Sequence, residues 1–139
     1  MPLRHEDTKK IFEKLSTREE EIGRLVVDAA FKVHSKLGPG LLEKIYEICF
    51  CYELKKSGLD ARRQVPIAIT YDNIILDEKL VLDVLVDDLV ICELKAVDNV
   101  NPVWKAQIIS HLHLSNKRLE YLINFNVAQI KDGINRFVL

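Results

Sequence analysis

Apolar and polar positions follow two rhythms along this chain, and each change of rhythm marks an element. Ile22, Leu25, Val26, Ala29, Ala30, Val33 and Leu37 recur at helical spacing. Ahead of them, Thr17-Arg18-Glu19-Glu20 reads as a capping box, with the Thr17 hydroxyl and the Glu20 carboxylate satisfying free N–H groups. Gly38-Pro39-Gly40 predicts the end of that helix, through a glycine cap and a proline that cannot continue it. A second helix is predicted from about 41 to 57, with Leu42, Ile45, Cys49, Phe50 and Leu54 as its apolar positions. Between 62 and 71 the period drops to two, as Val65, Ile67 and Ile69 alternate with Pro66, Ala68 and Thr70. That is a strand, and Pro66 places its start near a sheet edge or a bulge.

After a turn at Tyr71-Asp72-Asn73, residues 74–76 predict a short strand of their own. The stretch 80–97, LVLDVLVDDLVICELKAV, then reads as two apolar strands joined at Asp87-Asp88. Asn101-Pro102 opens a helix that reaches about Leu114, with Ile108, Ile109, Leu112 and Trp104 directed at the core. Residues 118–125 form another strand, and the tail turns at Asp132-Gly133 into a short edge strand. Short turns make the middle strands antiparallel, whereas the helix after Val97 has the length of a crossover between parallel strands. The expected class is therefore α/β: a mixed central sheet with helices on both faces. Residues 1–16 are expected to be a short helix or a flexible arm ahead of one domain over 17–139.

Composition narrows this only a little. A chain of 139 residues suits one domain with a proper core. The net charge of −1 provides no global positive field to draw it to nucleic acid or an anionic membrane. Three cysteines (Cys49, Cys51, Cys92) with no CxxC pair argue against a disulfide framework and read as buried free thiols. The opening MPLRHEDTKK has no apolar core of a signal peptide, and no run approaches a membrane span. A cytoplasmic protein without a membrane partner is expected.

The chemistry interrupts the most apolar stretch. Asp83 stands in its first strand, and Glu93 and Lys95 in its second. Strand alternation puts Glu93 and Lys95 on one face, with Cys92, Leu94 and Ala96 on the other. A carboxylate and an ammonium side by side on a buried sheet are costly to desolvate. Two carboxylates with a lysine nearby suit a hard divalent cation that activates water against a phosphate. Spacing alone leaves an ordinary Glu–Lys ion pair equally open.

Glu43 falls in the first turn of its helix, where the dipole alone favours a carboxylate. Tyr46, three residues on, could hold Glu43 or a phosphate, or be a packed aromatic with a wet tip. His34 sits late in its helix, suited either to the dipole or to a phosphate. Gln107 and His111 are four apart, hence on one helix face; His111 and His113 are two apart, so no shared zinc ligand is expected of them. Arg62-Arg63 and Lys117-Arg118 read as solvated surface charges.

Gly40-Leu41-Leu42-Glu43-Lys44-Ile45-Tyr46 is a GxxExxY string at a helix start. With AAFKVHSKLGPGLLEKIYE, RQVPIAI, the Asp83…ELKAV strands, AQIISHL and LINFN in that order, the chain resembles the GxxExxY family of the PD-(D/E)xK nuclease-like superfamily. The resemblance implies a restriction-endonuclease-like core of four mixed strands. It implies that Glu43, Asp83 and Glu93 hold Mg²⁺ or Mn²⁺, that Asp83, Glu93, Lys95 and Gln107 are catalytic, and that His34, Tyr46 and His111 contact substrate. Ser110 and His111 stand where that family's pattern has Asn and Tyr. The expected function is metal-dependent hydrolysis of phosphodiester bonds in nucleic acid, DNA ahead of RNA, by a homodimer. The alternative is a nuclease-fold binding or assembly module without turnover.

Overall fold

The structure, a computed structural model, describes residues 14–139. The segment expected over 1–16 therefore lies largely outside the described residues, and 14–16 carry no helix. Helix α1 (Thr17–Leu37) has its cap one residue earlier than predicted. Ser16, not Thr17, is the capping residue: its hydroxyl accepts the Glu19 N–H at 3.0 Å, and Glu19 accepts the Ser16 N–H at 2.8 Å. The Ser16 hydroxyl has the reach that the sequence pattern assigned to Thr17, and Glu19 replaces Glu20 as its partner. Ile22, Val26, Ala29, Ala30 and Val33 bury the predicted face, while Leu37 lies exposed at the end. Gly38 closes the helix at φ 68°, a left-handed value that a Cβ would strain.

Helix α2 (Glu43–Lys56) buries Phe50 and Leu54 as expected but not the rest of the expected stripe. Leu42 is 75% exposed and Ile45 is also exposed, whereas Tyr46, Phe50, Cys51 and Leu54 enter the core. Two glutamates share that inward side, Glu47 and Glu53. They are tolerated there because each has partners: Arg63 and Gln64 reach Glu47 at 2.9 and 3.0 Å, and Lys36 reaches Glu53 at 3.2 Å.

The sheet contains five strands in the order β1-β2-β3-β4-β5, so the four strands implied by the family resemblance are extended by the tail strand. Strands β1 (Ala61–Tyr71) and β2 (Ile74–Val86) form a long hairpin, turned by Asp72 and Asn73 at φ 49° and 65°. Residues 74–76 are not a separate strand, because pairing with β1 carries β2 straight through (Ile67↔Leu80, Ala68↔Lys79, Tyr71↔Ile74). Pro66 sits on the edge strand, as its missing N–H requires. Asp87 and Asp88 turn the chain into β3 (Val90–Lys95), antiparallel to β2. Helix α3 (Val103–Ser115) crosses over to β4 (Leu119–Asn124), which runs parallel to β3. A short 3₁₀ turn (Ile130–Gly133) leads to β5 (Ile134–Val138), the antiparallel far edge.

The sheet carries helices on both faces, as expected. Cys92, Leu94, Leu119, Tyr121 and Ile123 meet α1 and α2 in the larger core, where Phe125 stacks on Tyr46 at 4.7 Å between centroids. Leu82, Leu85, Ile91 and Leu122 meet Ile108 and Leu112 of α3 in the smaller one. Cys51 and Cys92 are buried free thiols and Cys49 is half-buried; burial pushes the Cys51 thiol up to about 11. Among the described residues, no helix is long and apolar enough to cross a membrane.

Candidate active site

Strands β2 and β3 part at the place where the ionisable residues gather. Their ladder extends no further than Val84↔Cys92. The next inward donor, the Leu94 N–H, is taken by the Asp83 carboxylate at 3.0 Å instead of a backbone carbonyl. Glu93 and Lys95 share the α3 face of β3, as alternation predicted. Together with Gln107, Ser110 and His111 of α3 and Leu80 and Val81 of β2 they line an open cleft of about 420 Å³. The Lys95 ammonium lies 4.7 Å above the Trp104 ring, a cation–π contact that holds it at the cleft wall. At the far side Asn124 clamps the exit of β3, accepting the Val97 N–H at 3.2 Å and donating to the Val97 carbonyl at 3.0 Å.

Burial and neighbouring charge both act on these carboxyls. Burial drives Glu93 up to about 10, helped by a hydrogen bond with Asp83 and by the charges of Asp83 and Glu120, with Lys95 opposing. Glu43, at the start of α2, is also raised, by desolvation and then by Asp83, again against Lys95. Glu43, Asp83, Glu93 and Lys95 therefore share one electrostatic neighbourhood although 52 positions separate the first from the last. Gln107 is exposed on the cleft wall.

His111 lines the cleft and turns its Nδ1 toward two acids. Its Nδ1 is 3.6 Å from Glu93 and 3.1 Å from Glu120. Glu120 was not anticipated from the sequence, where RLEYLINF reads only as a strand. A signal was available: β4 is central, covered on both faces, and all six of its residues are buried, so an acid there needs a reason. Burial raises its carboxyl, with His111 opposing.

Two residues expected at the substrate hold contacts within the fold. Tyr46 is fully buried; its hydroxyl donates to the Gly38 carbonyl at 2.6 Å and accepts the Leu41 N–H at 3.1 Å. It braces the Gly-Pro-Gly loop that sets down Glu43, and no surface of it is left for a phosphate. His34 Nε2 contacts the Val127 carbonyl at 2.8 Å and ties the end of α1 to the segment after β4. The basic pairs are engaged too: Arg63 with Glu47, Arg62 with Asp60 and Lys117 with Asp88.

A divalent cation fits this donor set on one specific ground. Oε2 of Glu93 is buried without a hydrogen-bond partner, and such an oxygen is costly unless something positive meets it. Residues 20–137 match the family model of the PD-(D/E)XK nuclease superfamily. No curated protein and no solved structure matches the chain. Members of that superfamily generally use divalent metals, and membership implies nucleic-acid binding. With a mixed sheet flanked by helices, an acid on β2 and Glu-x-Lys on β3 where the two strands separate, the chain belongs to the PD-(D/E)XK nuclease superfamily.

Proposed function

We propose that this chain is a metal-dependent nuclease of the GxxExxY type, hydrolysing phosphodiester bonds of nucleic acid. Glu43, Asp83 and Glu93 hold Mg²⁺ or Mn²⁺, Lys95 and Gln107 complete the catalytic group, and residues 17–139 act as one catalytic domain. The observation that carries the reading is the Asp83–Glu93 pair. Burial first, then the hydrogen bond and charge of Asp83, push Glu93 up to about 10, and one of its buried oxygens is unpartnered; such a place favours a divalent cation in exchange for the proton.

A hard divalent ion bound there supplies a polarised phosphate and a more acidic water. The residues of the chain do the rest. Asp83, fixed by the Leu94 N–H, is held beside Glu93. The Lys95 ammonium, steadied by Trp104, offers positive charge where a phosphate gains negative charge and can orient the attacking water. Gln107, on the opposite wall, has an amide to position Lys95 or a phosphate oxygen. DNA is the favoured substrate in this reading, and two copies of the chain would cut both strands of a duplex.

Cleavage of plasmid, single-stranded DNA and RNA in Mg²⁺ and Mn²⁺, beside Lys95→Ala, tests the proposal. The wild type should cut at least one substrate about 10²–10³-fold faster than the variant. Equal rates on every substrate would replace this reading with that of a binding module.

A further inference from the structure

Glu120 has no part in the site just proposed, yet it is the most deeply placed acid of the group. It lies at 0% exposure on β4, the strand after the α3 crossover. One Glu120 oxygen meets His111 Nδ1 at 3.1 Å; the other, Oε1, has no hydrogen-bond partner. Glu93 Oε2 is likewise unpartnered and 3.6 Å from the same imidazole nitrogen. One ligand atom each from Glu93, His111 and Glu120 therefore falls within 4.8 Å of the other two.

A single imidazole cannot satisfy this arrangement. The Nδ1 atom is taken up by one Glu120 oxygen, which leaves Glu120 Oε1 and Glu93 Oε2 without a partner in a dry place. An ion at the centre meets all three. Bonds of about 2.1 Å in tetrahedral geometry set ligands about 3.4 Å apart, close to the two distances found at His111. Two carboxylate oxygens with one imidazole nitrogen suit a borderline transition ion, whereas Mg²⁺ prefers oxygen alone.

We propose that Glu93, His111 and Glu120 form a second cation position, selective for a borderline divalent transition ion of the Zn²⁺ or Co²⁺ class, and that Glu93 is shared between it and the Asp83 side of the cleft. The inference goes beyond the nuclease reading and needs neither nucleic acid nor turnover.

Co²⁺ is the probe, followed by visible absorption in the metal-free protein. The wild type should develop a ligand-field band without the intense near-ultraviolet band of thiolate ligation, since the three cysteines lie outside the cluster. Glu120→Gln, which keeps the volume, and His111→Gln, which is partly exposed and tolerant of change, should each weaken Co²⁺ binding by more than about tenfold. Asp83→Asn should abolish cleavage and Mg²⁺ stabilisation but retain the band, so the failure of one proposal is told apart from the failure of the other. A wild type without the band overturns the inference. So does a band unchanged in His111→Gln, which would leave His111 and Glu120 as a plain ion pair.

Discussion

The carboxylate of Asp83 accepts the backbone N–H of Leu94 at 3.0 Å, standing in for a carbonyl that β2 no longer presents. The bond joins two jobs. It finishes the ladder at the point where the strands diverge, and it holds an acid beside Glu93.

Those jobs separate by mutation. Asp83→Ala strands a buried donor and should destabilise the protein by about 1–3 kcal/mol, partly offset by relief of the repulsion at Glu93. Asp83→Asn keeps an acceptor and removes the repelling charge, so its metal-free stability should equal or exceed the wild type's. Saturating Mn²⁺, at 100 times its Kd, should stabilise the wild type by about 2.7 kcal/mol and neither variant. Urea denaturation with and without the ion reads all of these.

The raised acid sets a pH dependence of known sign. Glu93 ordinarily titrates near 4.5 but sits at about 10 in the folded chain, so between those values the native state binds more protons than the unfolded one. Its contribution to metal-free stability is complete below about pH 4.5 and is lost as the pH rises toward 10. Asp87 works in the opposite, acidic window: the Asp60 N–H and Arg18 hold it below its ordinary value, so its contribution is lost as the pH falls. Glu93→Gln should flatten the alkaline slope in a series of denaturation midpoints, and Mn²⁺ affinity of the wild type should rise with pH.

How much of this was legible depends on what each residue's neighbours are. Glu93 and Lys95 were placed on the right face because alternation in a strand is local geometry, and the β3–β4 crossover followed from the length of the connecting helix. The face of α2 was misread because its exposed side carries Leu42, Ile45 and Ile48, while Glu47 and Glu53 turn inward to cations from other elements. A count of apolar positions cannot see Arg63 or Lys36 arriving from elsewhere. The partnership of His111 with Glu120 was hidden for the same reason, since it joins a helix to the strand that follows its own turn. The contacts of Tyr46 and His34 needed the backbone carbonyls of Gly38 and Val127, and which carbonyl a distant side chain reaches has no sequence signature.

Tyr46→Phe isolates the bracing hydroxyl. The ring still stacks on Phe125, but the bonds to Gly38 and Leu41 are lost. A loss of about 1–3 kcal/mol is expected in thermal or urea unfolding. Because the braced loop sets down Glu43, Mg²⁺ should also bind more weakly, which calorimetry would register; unchanged binding would detach Glu43 from the ion.

Trp104→Leu tests whether Lys95 must be held. The ammonium–ring contact is worth about 0.5–2 kcal/mol, so cleavage should slow by roughly 2- to 30-fold while the fold persists. Lys95→Ala should then add no further effect of Trp104→Leu, the signature of two residues acting as one unit.

The two layers of the molecule are unequal, and the thinner one borders the cleft. Helix α3 has only Ile108 and Leu112 fully buried, with Trp104 partly so, against five apolar anchors on α1. Its amide hydrogens should exchange sooner than those of α1, since fewer apolar contacts oppose a local opening. A wall that lifts by itself lets the crevice widen for an incoming polymer while the stouter layer beneath keeps its shape, so admission and endurance can evolve along separate lines.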